Sequence, residues 1–489
     1  MSGTRISSLL GKITVLVVIC CCALPAQGQY GPGDGTSSNP YQILEPHHMN
    51  AIGDNPSHWD LHFKLMNDIN LSGYTGSDFN IIGTGWDEPF TGVFDGNGYK
   101  IYNFSYGPVA PDDYVGIFGM VGDVDGNGGE IKNLGLINPN IDVAAFMTGG
   151  LVGRVVLGTI TNCYVQGGSV TGDDIVGGLV GDIGYINAEI GNCYTNTSVS
   201  GDWVVGGLVG ANNGTVSDCY ATGNVVGNSA TGGLVGDNKE GSLISHSYAS
   251  GIIQGADSTG GLAGRNWGGT ISKCCATGNV SGDSETGGLV GQNSGANGFT
   301  ATISNSYAAG DVTGIYNTGG LTGVNAGFID PADIINCYSV GGVSGSSNVG
   351  GLVGRNFAGS VVHSFWDIEN GGPDNGIGIP LPTEQLQTMS TFTDVGWDFL
   401  GETTNGTDDI WRLCVDWTDY PKLSWQFLSG DFLCPDGIDF FDFSFFADHW
   451  DDEPCYYLNN YCDRTDLDRS GTVDRRDLGI FVDNWLKGF

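Results

Sequence analysis

The most specific chemical spacing in this chain lies near its C-terminus. In Asp466-Leu467-Asp468-Arg469-Ser470-Gly471-Thr472-Val473-Asp474-Arg475-Arg476-Asp477, side-chain oxygens fall at loop positions 1, 3, 5, 9 and 12. Gly471 stands at position 6, where such a loop turns sharply, and Thr472 offers its carbonyl at position 7. A hard cation collects roughly six to eight oxygens in this way. The spacing therefore predicts a calcium site built by Asp466, Asp468, Ser470, Thr472 (through its backbone), Asp474 and Asp477.

No comparable spacing supports catalysis. His58 and His62 form HxxxH, but the residue after His58 is Trp59, where a metalloprotease helix needs Glu to activate water. His47-His48 has no further partner, and no GxSxG elbow occurs. Between Val115 and Trp366 the bases are Lys132, Arg154, Lys239, Arg265, Lys273 and Arg355. They are expected at different phases of the fold, which argues against a cationic groove for acidic polysaccharide. A noncatalytic binding role is the expectation. The alternative is a β-helical polysaccharide lyase or glycoside hydrolase working through paired carboxylates.

The elements that position these residues follow from self-similarity. GGLVG occurs at 149–153, 177–181, 206–210, 232–236, 287–291 and 350–354, with GGLAG at 260–264, GGLTG at 319–323 and a divergent VGIFG at 115–119. Successive copies are 26 to 34 residues apart. Each is followed by a phrase such as Thr159-Ile160-Thr161-Asn162-Cys163-Tyr164, then by one such as Gly223-Asn224-Val225. A unit therefore reads as three short strands separated by Gly, Asn and Asp turns. Each unit forms one coil that stacks on the next at ~4.8 Å, so that neighbours satisfy its backbone groups. The Leu of GGLVG is expected inward, and the slot before Cys163 and its equivalents outward. Ile160 and Cys163 cannot both face inward on a flat strand, which leaves a bend or a wrong assignment.

Stacking turns equivalent positions into columns. One contains Cys163, Cys193, Cys219, Ser247, Cys274, Ser306, Cys337 and Ser364; free exchange with Ser marks a small buried slot rather than cross-links. The next contains Tyr164, Tyr194, Tyr220, Tyr248, Tyr307 and Tyr338, interrupted by Cys275. It is either a structural aromatic ladder or, if exposed, a surface for stacking sugar rings.

These units resemble the GLUG motif, over roughly Asp113 to Trp366. Flanking phrases such as Phe90-Thr91-Gly92-Val93-Phe94-Asp95-Gly96-Asn97-Gly98 are similar to those of secreted bacterial proteins of that family. The resemblance implies an all-β right-handed parallel β-helix of about nine coils and little specific chemistry, since the motif is structural.

After Trp366 the repeat stops, and the tryptophans of a bridging segment are expected to cover the open end of the solenoid. Farther on, Asp442 to Trp450 aligns without gaps to Asp477 to Trp485, a shift of 35 residues, and both read as short amphipathic helices. Two loop–helix halves ending in Asp resemble the type I dockerin module. That resemblance implies a cohesin-type partner, read by the residues before the final Asp of each loop, Phe440-Phe441 and Arg475-Arg476. In the first half Asp436, Asp439 and Asp442 remain but the early ligands do not, so calcium binds there less readily. Cys414, Cys434, Cys455 and Cys462 lie in or near this tail, and a bridge from Cys434 to Cys455 or Cys462 is expected.

Arg5 and Lys12 before the apolar run Ile13–Leu24, with Ala26-Gln27-Gly28 after it, predict a secretory signal over 1–28. The chain carries 54 acids against 17 bases, net −37. That charge disfavours nucleic acid and anionic lipid as partners; membrane insertion is not expected. The predicted organisation is a signal over 1–28, an N-terminal cap with first coils over 29–112, the GLUG solenoid over 113–366, a cap or bridge over 367–430 and the dockerin-like module over 431–489. The expected role is extracellular: adhesion, or binding of polysaccharide or a cell surface, anchored through the calcium-dependent tail.

Overall fold

Short β-branched runs between glycine and asparagine corners build a parallel β-solenoid. The computed structural model describes residues 29–108, 113–402, 404–433, 437–455 and 460–485. The expected signal over 1–28 lies outside them. A representative coil runs through β1 (Gly158–Thr161), β2 (Tyr164–Gln166), β3 (Ser169–Thr171), β4 (Ile175–Gly177) and β5 (Val180–Ile183). The coil thus has five strands, where the sequence pattern indicated three. Strands of two to five residues are too short to declare themselves by alternation.

Each strand pairs in parallel with its counterpart in the next coil, in strict register: Ile160 with Ile190, Tyr164 with Tyr194, Val180 with Val209. Among the described residues the β3, β4 and β5 walls each hold nine strands and the β1 and β2 walls twelve. Tyr41–Ile43, His62–Leu65 and Val93–Asp95 extend the β1 wall toward the N-terminus. Helix α1 (Pro46–Gly53) buries Met49 and Ile52 in the same core. His58 ends a short 3₁₀ turn and His62 opens a strand, so the HxxxH spacing never lies on one helix.

The interior is a set of columns. Leu151, Leu179, Leu208, Leu234, Leu262, Leu289, Leu321 and Leu352 are fully buried, as the repeat predicted. The glycines before them shape the corner between the β4 and β5 walls: a Cβ on Gly177 would strike the Val180 carbonyl, and one on Gly178 the Gly207 carbonyl. Ile160 and Cys163 both face inward with no exposure. The bend that permits this is Asn162, which adopts the left-handed conformation at φ 53°. Asn192, Asp218, His246, Lys273, Asn305, Asn336 and His363 repeat that conformation at the same place. Asn and Asp tolerate it best because their short side chains bond locally.

A buried amide ladder accompanies the apolar columns. Asn212, Asn238, Asn266, Asn293, Asn325 and Asn356 stand five residues after the second Gly of their motifs. Each Nδ2 donates to the next Oδ1 along the stack, at 2.8 Å for the first four steps and 3.1 Å for the last. Asn266 also donates to the Gly269 carbonyl at 3.0 Å. Every interior rung therefore has its donors and acceptor satisfied, which is the condition for burying an amide without penalty.

Removing one rung leaves its neighbours buried and unpaired. Asn266→Ala is expected to destabilise the solenoid by about 2–4 kcal/mol, and Asn356→Ala, at the end of the ladder and partly exposed, by under about 1 kcal/mol. Chemical denaturation followed by circular dichroism measures the difference; equal effects would show that the ladder does not act as a chain.

Candidate functional site

Three features carry the residues singled out above: the tyrosine column on the β2 wall, the basic residues on the β5 wall, and the acidic loop of the tail. In the tyrosine column, the rings of Tyr164, Tyr194, Tyr220 and Tyr248 stack at centroid distances of 4.8, 4.8 and 5.0 Å, within 9° of parallel. That spacing is the coil repeat itself. All four rings are half-buried, and burial raises each phenol above its usual pKa. The inner faces cover one another, so edges and hydroxyls, not ring faces, meet solvent. The Tyr column therefore does not offer a sugar the flat platform that its sequence allowed.

Tyr307 and Tyr338 leave the ligand surface altogether, with 4% and 1% exposure. The bridging segment after Trp366 lies across them. Tyr307 donates to Gln426 Oε1 at 3.1 Å, the Tyr338 hydroxyl donates to the Pro421 carbonyl, and Trp411 packs on both rings. Trp397 and Trp425 donate to the carbonyls of His363 and Lys273. The bridge tryptophans thus cover a side wall, not the open end. The end is crossed instead by the segment around Pro373 and Asn375, which bonds Gly351 and Val353. Where Cys275 interrupts the Tyr column, Gln426 Nε2 of the bridge donates to its sulfur at 3.4 Å.

In the cysteine column, each sulfur or hydroxyl does the same two jobs. Cys219 N–H donates to Ser247 Oγ at 3.1 Å, Cys193 N–H donates to Cys219 Sγ at 3.4 Å, and Cys219 Sγ donates to the Ser217 carbonyl at 3.0 Å. Ser and Cys are interchangeable for that reason. The column cysteines are free and buried; burial pushes the Cys337 thiol up to about 12. They are poor nucleophiles.

The basic residues are less scattered than the sequence indicated. Arg154, Asp182, Ala211, Asp237, Arg265, Gln292, Val324 and Arg355 form one column on the β5 wall. Arg154 pairs with Asp182 at 3.2 Å and Arg265 with Asp237 at 3.1 Å. The shared phase is real, but Asp182 and Asp237 neutralise Arg154 and Arg265, while Arg355, beyond Gln292 and Val324, lies over the Phe357 ring.

In the tail, α2 (Phe440–Asp448) and α3 (Arg475–Trp485) are the two expected helices. Phe446 and Phe481, equivalent under the 35-residue shift, pack at 5.4 Å in a small core with Phe432, Ile438 and Val473. Cys455 and Cys462 are joined to each other, which corrects the expected bridge from Cys434; Cys434 and Asp436 lie outside the described residues.

Before α3, one carboxylate oxygen each from Asp466, Asp468 and Asp477 come within 4.8 Å of one another. Asp466 and Asp477 are buried, at 2% and 0% exposure. Burial raises the Asp466 pKa against the N–H groups of Gly471 and Ser470, while the Ser470 hydroxyl lowers that of Asp468. No salt bridge joins these carboxylates to Lys or Arg among the described residues. Each carboxylate accepts backbone N–H bonds within the loop. Three clustered carboxylates with no Lys or Arg ion-paired to them among the described residues offer the hard oxygen donors that suit a divalent cation. Asp474 is not drawn into this cluster; its Oδ1 accepts Arg476 N–H at 2.7 Å at the start of α3. Arg475 and Arg476 are exposed.

The first half repeats the hydrogen bonding of the final Asp but, among the described residues, not the acid cluster. Asp442 accepts N–H bonds from Phe432, Leu433 and Asp439, much as Asp477 does from Asp468 and Asp474. Leu433 stands where the second half has Asp468, and Asp431, equivalent to Asp466, is held by Arg412 at 3.3 Å. Sequence reading passed over Asp431; the gapless 35-residue shift was the signal that would have found it.

Comparison with known proteins places the GLUG motif at residues 144–171, 201–226 and 282–313. Over 154 residues the chain is 35% identical to "Halomucin" of Haloquadratum walsbyi, covering 30% of this chain and 2% of that protein. Over 149 residues it is 36% identical to the "Putative Gly-rich membrane protein" of Evansella cellulosilytica, covering 28% of this chain and 16% of that one. The chain thus spans a small part of either relative. A solved structure named as "a putative immunoglobulin A1 protease from Bacteroides ovatus" aligns with 81% of this chain and 96% of its own, at 20% identity and a TM-score of 0.38; neither fold nor activity is read from it.

The stacked phenols make stability depend on alkaline pH. Folded Tyr pKa values are raised above the unfolded value of 10.0. The unfolded chain therefore sheds these protons first, and their contribution is intact below pH ~10 and lost as pH rises beyond it. Tyrosinate absorbance is expected to develop together with loss of the β-sheet signal; titration near pH 10 with the sheet intact would contradict the packing.

Proposed function

We propose that this chain is a noncatalytic extracellular rod that presents its side walls for adhesion or carbohydrate binding and is anchored or assembled through a calcium-dependent, dockerin-like tail. The observation that carries this reading is the stack of in-register coils. It repeats the same surface positions along one axis, as contact with a polymer or a cell surface at many points requires. The names of the relatives, a halomucin and a Gly-rich membrane protein, support a surface setting. No helix among the described residues is long and apolar enough to cross a membrane.

For the tail, the carboxylates of Asp466, Asp468 and Asp477 would hold calcium, with Ser470, the Thr472 carbonyl and Asp474 completing the oxygen set. Bound calcium would neutralise the clustered acids and pin the start of α3. The exposed pairs Phe440-Phe441 and Arg475-Arg476 differ in chemistry between the halves, so a cohesin-type partner would read one orientation rather than two.

Two measurements test this reading. Calorimetry on the chain from residue 29 is expected to find one calcium site in the tail, weakened at least about tenfold by Asp466→Ala; undiminished affinity in that variant would remove the tail assignment. Pull-down with insoluble polysaccharides and bacterial cell walls is expected to retain the chain without releasing sugar. New reducing ends or unsaturated products would instead make it a polysaccharide-degrading enzyme.

A further inference from the structure

The coils are not all alike. The motif spacing from Gly261 to Gly288 is 27 residues, but the next two steps, to Gly320 and Gly351, are 32 and 31. The added residues lie at one corner, between the β5 and β1 walls. There Ala263–Trp267 reaches the next strand, Thr270–Ser272, through two glycines. In the following coils the corner carries 295–300 and 327–331 instead. Insertions that fall on one face of adjacent repeats are how repeat proteins build binding sites.

These two loops wall a cavity of about 570 Å³, within the roughly 300–1,000 Å³ of small-ligand sites. Asp330 Oδ2 accepts Gly298 N–H at 2.9 Å, which ties one loop to the other. The rim is apolar and open: Trp267 is 37% exposed, Phe328 70% and Ile329 92%. Large apolar groups held this far into water mark contact surfaces. Phe328 packs on Phe357 at 5.1 Å, and the Arg355 guanidinium lies over Phe357 at 3.9 Å. Polar groups line the same space. Gln292 has no side-chain hydrogen bond among the described residues, and Glu285 accepts one from Ser258 at 2.9 Å.

We propose that this corner is a binding site for an uncharged oligosaccharide, with the Trp267 and Phe328 rings meeting the apolar faces of sugar units and Gln292 and Glu285 taking hydroxyls. The inference rests on the binding-rod reading and gives it a place and a ligand class. Sugar rings offer what the site asks for, a flat C–H face beside hydroxyl donors and acceptors. Glu285 and Asp330 lie at the cavity and the chain is strongly acidic, which outweighs the one Arg355 guanidinium over Phe357, so uronate or sulfated glycans would be disfavoured.

The test uses the chain from residue 29, with calorimetry against tetrasaccharides of β-linked glucose, β-linked N-acetylglucosamine and galacturonate, and a parallel cell-wall binding assay. One of the neutral tetrasaccharides is expected to bind, and the acidic one not. Trp267→Ala is expected to weaken binding about tenfold, equivalent to ~1.4 kcal/mol. Phe328→Ser, on the inserted loop outside the coil core, is expected to weaken it as well with the melting temperature unchanged. Undiminished binding in both variants, or equal binding of galacturonate, would overturn the site. So would adhesion to cell walls without affinity for any neutral tetrasaccharide, although the rod reading would then stand. A chain that adheres to no wall or polysaccharide would remove both.

Discussion

The whole molecule depends on the parallel hydrogen bonding of each coil to the next. A lone coil of five short strands leaves its backbone groups unpaired, and only an identical coil ~4.8 Å away satisfies them. That constraint fixes register, and register forces equal side chains into columns. Leu under Leu, Asn under Asn and Tyr over Tyr are consequences of it. The tyrosine rings stack at 4.8 Å because the strands do, and the asparagine amides chain together because each lies one hydrogen bond from the next.

Within so uniform a stack, the departures carry the information. Cys275 breaks the tyrosine column where Gln426 docks. Two long coils open a cavity at one corner. In the tail, near-perfect internal symmetry is broken at Asp431, which Arg412 holds in an ion pair, and at Leu433, which replaces a carboxylate. One loop keeps a triad of clustered acids, while in its twin Asp431 is engaged by Arg412 and Asp442 by backbone N–H groups. Symmetry supplies the scaffold, and its local failures supply the chemistry.

Much of this was legible from residues alone. The nine motif copies gave the nine strands of the β3, β4 and β5 walls but not the further strands that lengthen the β1 and β2 walls to twelve. The invariance of Leu gave its inward direction, and exchange of Cys with Ser gave a small buried slot. The conflict between Ile160 and Cys163 left a bend or a wrong assignment open, and Asn162 at φ 53° decides for the bend. The acidic loop was visible because its acids are neighbours in sequence. Other features were present but overlooked: six asparagines at a constant offset, and three arginines directly after GGLxG, at 154, 265 and 355.

Repeat period, turn chemistry, charge and the spacing of the acidic loop are local properties, so sequence by itself determined the solenoid, its interior columns and the place of the carboxylate cluster. The number of walls, the cover over Tyr307 and Tyr338, the neutralising of Arg154 by Asp182 and the loss of Asp431 to Arg412 belonged to the tertiary structure. Tyr307 meets Gln426 across 119 residues of chain. No period encodes such a contact, because it is set by how the segment after the repeat lies back against the wall that the repeat has already built.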